Sequence, residues 1–409
     1  VSADTIRGKA AIAGVADAAS PTGDLELHGR ALEAAMVREA LDDAGLGPGD
    51  VDGLFAAGEA MGLAEFLGMR PRWLDSTMTG GSSFEFHVQH AATAIALGLC
   101  DVAVSVYAST PHSDGKRAAA ARGSGGGGPG GSGPGGFGGG PGGAWRPPGP
   151  YPAMAWEMPY GLRMPIGAYA LAASRHMSEF GSTAEQLAQI AVSTREWATR
   201  NPRARFQQPL TVDEVLASEL ICSPLHKLDC CLRTDGAGAF VMTSAERARD
   251  LAKPPVYVLG AGSGVSHSII SQMPDLTTTA TTVSGPIAFE MAGIDHGDVD
   301  LLMLYDSFTI TTLLLVEDLG FCKKGEGGSF VEDGKLGPGG SLPTNTNGGG
   351  LSYTHPGMYG MFLVVEAARQ LRGEAGDRQL PRCDVAVASG SGGVLSAMST
   401  CVLGSEAAL

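Results

Sequence analysis

Two rhythms of hydrophobic and polar positions alternate along this 409-residue chain. Short apolar, β-branched runs bounded by turn residues, Val102–Val106 and Val256–Leu259, predict buried strands. Residues 28–44 and 84–98 instead place apolar side chains at helical spacing and stop at Gly45 and Gly98, so they predict helices. A further helix is expected over 183–200. Leu302-Met303-Leu304 reads as a hydrophobic strand that ends in the polar cluster Tyr305-Asp306-Ser307. Strands alternating with helices predict an α/β fold with parallel or mixed sheets covered by helices.

The pattern repeats. Residues 44–54 read AGLGPGDVDGL and residues 292–302 read AGIDHGDVDLL, with seven of eleven positions identical. Cys100-Asp101-Val102-Ala103-Val104 recurs as Cys383-Asp384-Val385-Ala386-Val387. The offsets are 248 and 283, so the second copy carries 35 extra residues, which fit the Gly/Pro/Asn-rich loop 322–350. Two copies of one plan in the same order predict a duplicated architecture. The expected organisation is an N-terminal half over 1–115, a substrate-covering excursion over 116–250, and a C-terminal half over 251–409.

Composition narrows the function. The chain has 28 basic and 43 acidic side chains, a net charge of −15, and 44% hydrophobic residues. A core is therefore affordable in size, and nonspecific binding to nucleic acid or to a membrane surface is disfavoured. No basic-then-apolar segment opens the sequence and no apolar run approaches a membrane span, so a soluble cytoplasmic protein is expected. Seven cysteines without a CxxC pair predict neither a disulfide framework nor a zinc site. Residues 121–150 hold 16 glycines and 6 prolines, which reads as a flexible surface insertion; no GKS or GKT follows to make it a phosphate cradle. Lys116, Arg117 and Arg146 flank it.

Candidate chemistry gathers where strands end in glycines. Beyond Tyr305-Asp306-Ser307-Phe308 come Asn347-Gly348-Gly349-Gly350-Leu351-Ser352-Tyr353-Thr354-His355-Pro356 and Ser389-Gly390-Ser391-Gly392-Gly393. Ligands of α/β folds bind beyond strand C-termini, and glycines let backbone approach a ligand closely. Singly, each feature has a plain structural reading: a buried tyrosine, a turn-capping histidine, a packing turn. The lone cysteines read as buried small hydrophobes.

As a set, these loops resemble those of the thiolase superfamily over nearly the whole chain. Thiolases build their site from a nucleophilic-cysteine loop, an NEAF-type loop, a GHP loop and a CxGG loop. Thr79-Gly80-Gly81-Ser82-Ser83, Tyr305–Phe308, Thr354-His355-Pro356 and Ser389–Gly393 are similar to these in turn. The resemblance implies two duplicated βαβαβ-type halves with mixed sheets, in an α/β/α/β/α layering, plus a loop subdomain. The departures are equally informative. Residues 79–83 contain no cysteine and the CxGG cysteine reads as Ser389, so the thiolate and the proton-moving thiol of a Claisen thiolase are missing.

The sequence resembles instead the lipid-transfer-type thiolase homologues that act as aldolases on β-hydroxyacyl-CoA thioesters, as in bacterial steroid side-chain degradation. That resemblance implies proton transfer by two tyrosines, here Tyr305 and Tyr353, without an acyl-enzyme. His355 and backbone N–H groups at Gly392 or Gly393 are then the expected enolate donors, with Asp306 and Ser307 in support. No cofactor is implied beyond the coenzyme A thioester itself. The resemblance also implies a homodimer joined by a small OB-fold, zinc-ribbon acyl-CoA-binding protein into a heterotetramer. Two other readings stand beside it. One is a serine-dependent acyltransferase using Ser82 or Ser83, with His355 as base; the other is a non-catalytic acyl-CoA-binding subunit.

Overall fold

A computed structural model describes residues 6–123 and 155–409. Nine strands among the described residues form one mixed sheet: β1 (Ala10–Ala18), β2 (Gly53–Ala56), β3 (Trp73–Asp75), β4 (Val102–Ser109), β5 (Gly236–Ser244), β6 (Val256–Val265), β7 (Leu301–Leu304), β8 (Val385–Gly392) and β9 (Ala397–Gly404). Their order is β3-β2-β4-β5-β1-β6-β9-β8-β7. The helices that matter for the site are α1 (Gly29–Ala44), α2 (Ser83–Ala96), α3 (Ile166–Phe180), α4 (Ala184–Ala198), α5 (Thr281–Ala292), α6 (Thr309–Asp318) and α7 (Gly360–Arg372).

The sheet is two copies of one pattern. β1 runs antiparallel to β5, β5 antiparallel to β4, and β4 parallel to β2, which is parallel to β3. In the second copy β6 runs antiparallel to β9, β9 antiparallel to β8, and β8 parallel to β7; the single parallel bridge Leu302–Thr344 stands where β3 stands in the first. The copies join through Ala11–Tyr257 and Ile12–Val256. Helix α1 covers the outer face of the first copy and α5 that of the second, while α2 and α7 lie between them and touch strands of both. The layering is the one implied by the resemblance, with the two half-sheets hydrogen-bonded into one.

The sequence echo has a physical cause. Asp52 accepts from the backbone N–H of Asp101 at 2.8 Å and of Val102 at 2.8 Å. Asp300, 248 positions later, accepts from Asp384 at 2.8 Å and Val385 at 3.0 Å. In each copy the second aspartate of G-D-V-D starts the C-D-V-A-V strand. Each then alternates by face: Val102, Val104 and Val106 pack with Leu32, Met36 and Leu41 of α1, while Ala103 and Tyr107 face the central layer.

One boundary moves. The excursion expected to run to residue 250 returns β5 to the first half, where it sits between β4 and β1. The rest of the excursion contributes α3 and α4. Helix α4 begins at Thr183, whose hydroxyl accepts from Gln186 while the Gln186 side chain caps back onto Thr183 N–H. The expected flexible insertion 121–150 and Arg146 fall outside the described residues, save that α-helical backbone runs to Gly123.

The repeated anchor yields a test. Asp300→Ala strands two partly buried N–H groups and Asp52→Ala one partly buried and one exposed, so each variant should lose about 1–3 kcal/mol of stability, Asp52→Ala toward the lower end. Urea unfolding reads this directly; an unchanged midpoint in either would contradict the anchoring role.

Candidate functional site

Four loops meet at the ends of β7 and β8 and the start of α2. Tyr305 leaves β7 with its N–H still on Ser389 carbonyl at 3.0 Å, continuing the ladder to β8. Its ring lies against Gly81, where any Cβ would overlap the ring and the Ser391 carbonyl. Gly80, at φ 92°, lies so close to Gly392 and Gly393 that a Cβ there would come 2.8 Å from Gly393 N. The Thr79–Ser82 loop, Tyr305 and the Ser391–Gly393 turn are thus in mutual contact.

The Tyr305 hydroxyl is 3.1 Å from His355 Nε2. It also accepts from the N–H of Tyr359, just ahead of α7, at 3.2 Å. That N–H can only donate, so the phenol proton is free to point at the imidazole. Tyr305 is 4% exposed and His355 9%. Burial pushes the Tyr305 phenol well above its ordinary range and lowers His355 to about 4, so the imidazole is neutral near pH 7.

His355 is held on every side. Its N–H donates to Thr234 Oγ1 at 2.8 Å, and the Tyr107 hydroxyl donates to the next carbonyl, Pro356, at 2.8 Å. Asp306 fixes the preceding turn, Gly349–Tyr353, by accepting from Gly350 N–H at 2.7 Å and Leu351 N–H at 3.3 Å. Burial raises the Asp306 carboxyl to about 7, with those N–H groups pulling the other way. A side chain at Gly350 would press on both Asp306 and His355. Asp306 therefore acts on the histidine through the backbone of this turn.

The other sequence-derived candidates separate. Tyr353 does not join Tyr305: its hydroxyl donates to Asp17, which also pairs with Arg203 at 2.8 Å and Arg369 at 2.6 Å. Burial pushes the Asp17 carboxyl up, but Arg369, Arg203 and Tyr353 more than offset it and leave it well below the usual range. The turn Gly349–Tyr353 sends residues 353 and 355 to different partners, which linear spacing does not reveal. The Ser307 hydroxyl pairs with Thr311 at 3.0 Å, and its carbonyl takes the Cys231 N–H. Ser389 faces Thr400 at 3.0 Å, on the opposite side of β8 from Gly390.

Ser82 meets Thr79 Oγ1 at 3.0 Å, and Ser83 donates to Gly80 carbonyl at 2.7 Å. Neither serine has a histidine within hydrogen-bond reach, because His355 Nε2 faces Tyr305. Gly392 and Gly393 do lie in the site, packed on Thr79 and Gly80. Lys116 pairs with Asp24 and Arg117 with Asp114, both on the surface. Tyr359 escaped the sequence reading, because its contribution is a backbone N–H and any residue type could supply it.

Residues 262–405 match the family described as thiolase C-terminal domain-like. The chain is 34% identical over 398 residues to the steroid side-chain-cleaving aldolase of Thermomonospora curvata, covering 94% of this chain and 96% of that one. It is 34% identical over 386 residues to the 17-hydroxy-3-oxo-4-pregnene-20-carboxyl-CoA lyase of Mycobacterium tuberculosis, covering 90% and 92%. The solved Ltp2-ChsH2(DUF35) aldolase superposes with a TM-score of 0.84 at 32% identity, over 98% of this chain and 99% of its counterpart. With the duplicated sheet, the four converging loops and full-length relatives of this kind, the chain belongs to the thiolase superfamily, in its branch of thiolase-like aldolases.

Proposed function

We propose that this chain catalyses retro-aldol cleavage of a β-hydroxyacyl-CoA thioester, a steroid side chain being the substrate class its relatives' names point to, with Tyr305 and His355 as a proton relay. The observation that carries this reading is the buried Tyr305 Oη–His355 Nε2 pair at 3.1 Å, beneath a backbone N–H that fixes the phenol oxygen.

Cleavage requires loss of the β-hydroxyl proton, rupture of the Cα–Cβ bond, and protonation of the thioester enolate. A free phenol, with a pKa of about 10, is rarely ionised at neutral pH. The relay removes that difficulty. The substrate hydroxyl passes its proton to Tyr305 oxygen as Tyr305 passes its own to His355, so no free phenolate accumulates. Neutral His355, with its proton on Nδ1, is the form this step needs, and burial maintains it. No covalent acyl intermediate is involved. The serine-nucleophile reading lacks a base beside Ser82 or Ser83, and the relay is more than a passive acyl-CoA-binding subunit requires.

The solved Ltp2-ChsH2(DUF35) aldolase is named for a DUF35 component, which supports a comparable small partner for this chain. The exposed edge strand β3, with Leu74, Met78 and the nearby Phe66 open to solvent, supports self-association through the sheet edge. No helix among the described residues is long and apolar enough to cross a membrane.

The relay makes separable predictions. Tyr305→Phe and His355→Gln should each lower kcat on the order of 10²–10⁴-fold, read by release of the shorter acyl-CoA. Tyr353→Phe should keep kcat within about threefold, since its hydroxyl serves Asp17, and should instead cost about 1.5–3 kcal/mol of stability. A large kcat loss in Tyr353→Phe at unchanged stability would restore the two-tyrosine mechanism. The pH dependence follows from His355. Its folded value is lowered to about 4 from 6.5, so its stabilising contribution is complete above 6.5 and fades as pH falls toward 4. The kcat profile should therefore show no inflection near 6.5 that His355→Gln abolishes; finding one would contradict the neutral relay.

A further inference from the structure

Beneath the relay lies an acid that no step above uses. Glu85 is the third residue of α2 and is 0% exposed, and neither carboxyl oxygen has a hydrogen-bond partner among the described residues. Among the described residues no cation pairs with it. Two glycines on separate elements leave it room. A Cβ at Gly390 would overlap the carboxyl, and one at Gly360 would lie 2.6 Å from Oε2 and 2.9 Å from Oε1. The cluster is continuous with the relay, because Gly81 touches both the Tyr305 ring and the Gly360 position, and Tyr359 N–H, one residue ahead of Gly360, donates to the Tyr305 hydroxyl.

Buried carboxyls without partners are rare, since each such group carries its full desolvation cost. Here burial holds the carboxyl well above its ordinary range, favouring the protonated acid, and neither oxygen has a hydrogen-bond partner among the described residues. The Ser391 hydroxyl is also buried and unpartnered, on the opposite face of β8 from Gly390. That glycine, two residues before Gly392-Gly393, is the C-x-G-G cysteine position; Ser389 faces the other way. The volume of a side chain at 390 is filled by the Glu85 carboxyl arriving from α2.

We propose that Glu85 is the second proton-carrying group of this site, donating the proton that the thioester enolate takes at its α-carbon. The inference rests on the retro-aldol reading. The step balances: the β-hydroxyl proton moves to Tyr305 as the Tyr305 proton moves to His355, and the Cα–Cβ electron pair becomes the enolate as Cβ becomes a carbonyl. The enolate carbon takes the Glu85 proton, leaving a carboxylate. The imidazolium proton, returned through Tyr305 and solvent, restores the acid. No oxidant, reductant or co-reactant is consumed.

The test is Glu85→Gln in the full chain, with any co-purifying partner retained. It measures cleavage of a β-hydroxyacyl-CoA panel and, separately, exchange of α-hydrogens of acetyl-CoA and propionyl-CoA with D₂O by mass spectrometry. Glutamine keeps the shape and loses the acid, so both kcat and exchange should fall on the order of 10²-fold while KM stays within about threefold. A merely structural carboxyl would leave exchange untouched. Glu85→Asp, whose shortened acid is set back from the site, should exchange at an intermediate rate, and it carries the test should the glutamine variant not fold. Wild-type-like exchange and cleavage in a folded Glu85→Gln, or undiminished exchange in Glu85→Asp, would overturn the proposal while leaving the relay intact. A wild-type chain that neither cleaves nor exchanges would overturn both.

Discussion

The site depends on the absence of Cβ atoms at a few backbone crossings. Gly80, Gly81, Gly360, Gly390 and Gly392 come from three separate stretches, and a methyl group at any of them would strike a neighbouring loop, the Tyr305 ring or the Glu85 carboxyl. Only with these contacts closed can one phenol ring touch the start of α2 while its hydroxyl meets both a histidine and the backbone at the start of α7. Duplication supplies the rigid frame for this closure. Each half-sheet packs on the shared central layer, where α2 from one half lies beside α7 from the other.

Such a frame explains how chemistry survives the loss of both thiols. A thiolase divides its work between a nucleophile and a proton-moving cysteine, and neither residue type stands in these loops. What remains is a set of groups held neutral by burial: a phenol, an imidazole and, beneath them, a carboxylic acid. Buried neutral groups move protons through short-lived ions, which suits cleavage through an enolate better than acyl transfer through a thioester-enzyme.

Much of the fold was legible because its repeated feature is a side chain with a fixed job. Asp52 and Asp300 tie down the first N–H groups of equivalent strands, so the sequence repeats where the hydrogen bonds repeat. Tyr305 and His355 stand out as candidates for a similar reason, each lying where a strand or glycine run ends. Tyr353 parts from Tyr305 because a tight turn between Gly349 and Tyr353 directs it to Asp17, 336 residues away in sequence. Ser389 lies a single step along β8 from Gly390, which reverses the face. Glu85 went unseen, yet a signal existed. It shares a helix stripe with Val88, Ala92 and Ile95, all buried, and a carboxylate on an apolar stripe asks for an explanation.

On the proposed mechanism, carbon–carbon bond cleavage proceeds by proton relay, with the protein never acylated. It is tested most directly by mixing the purified chain, with any co-purifying partner, with β-hydroxyacyl-CoA thioesters and weighing everything: the intact protein and the small molecules. The account predicts a shorter acyl-CoA together with a carbonyl compound while the protein mass stays unchanged throughout turnover. A protein that gains the acyl mass would contradict it and place a nucleophilic side chain, not the Tyr305–His355 pair, at the centre of the reaction.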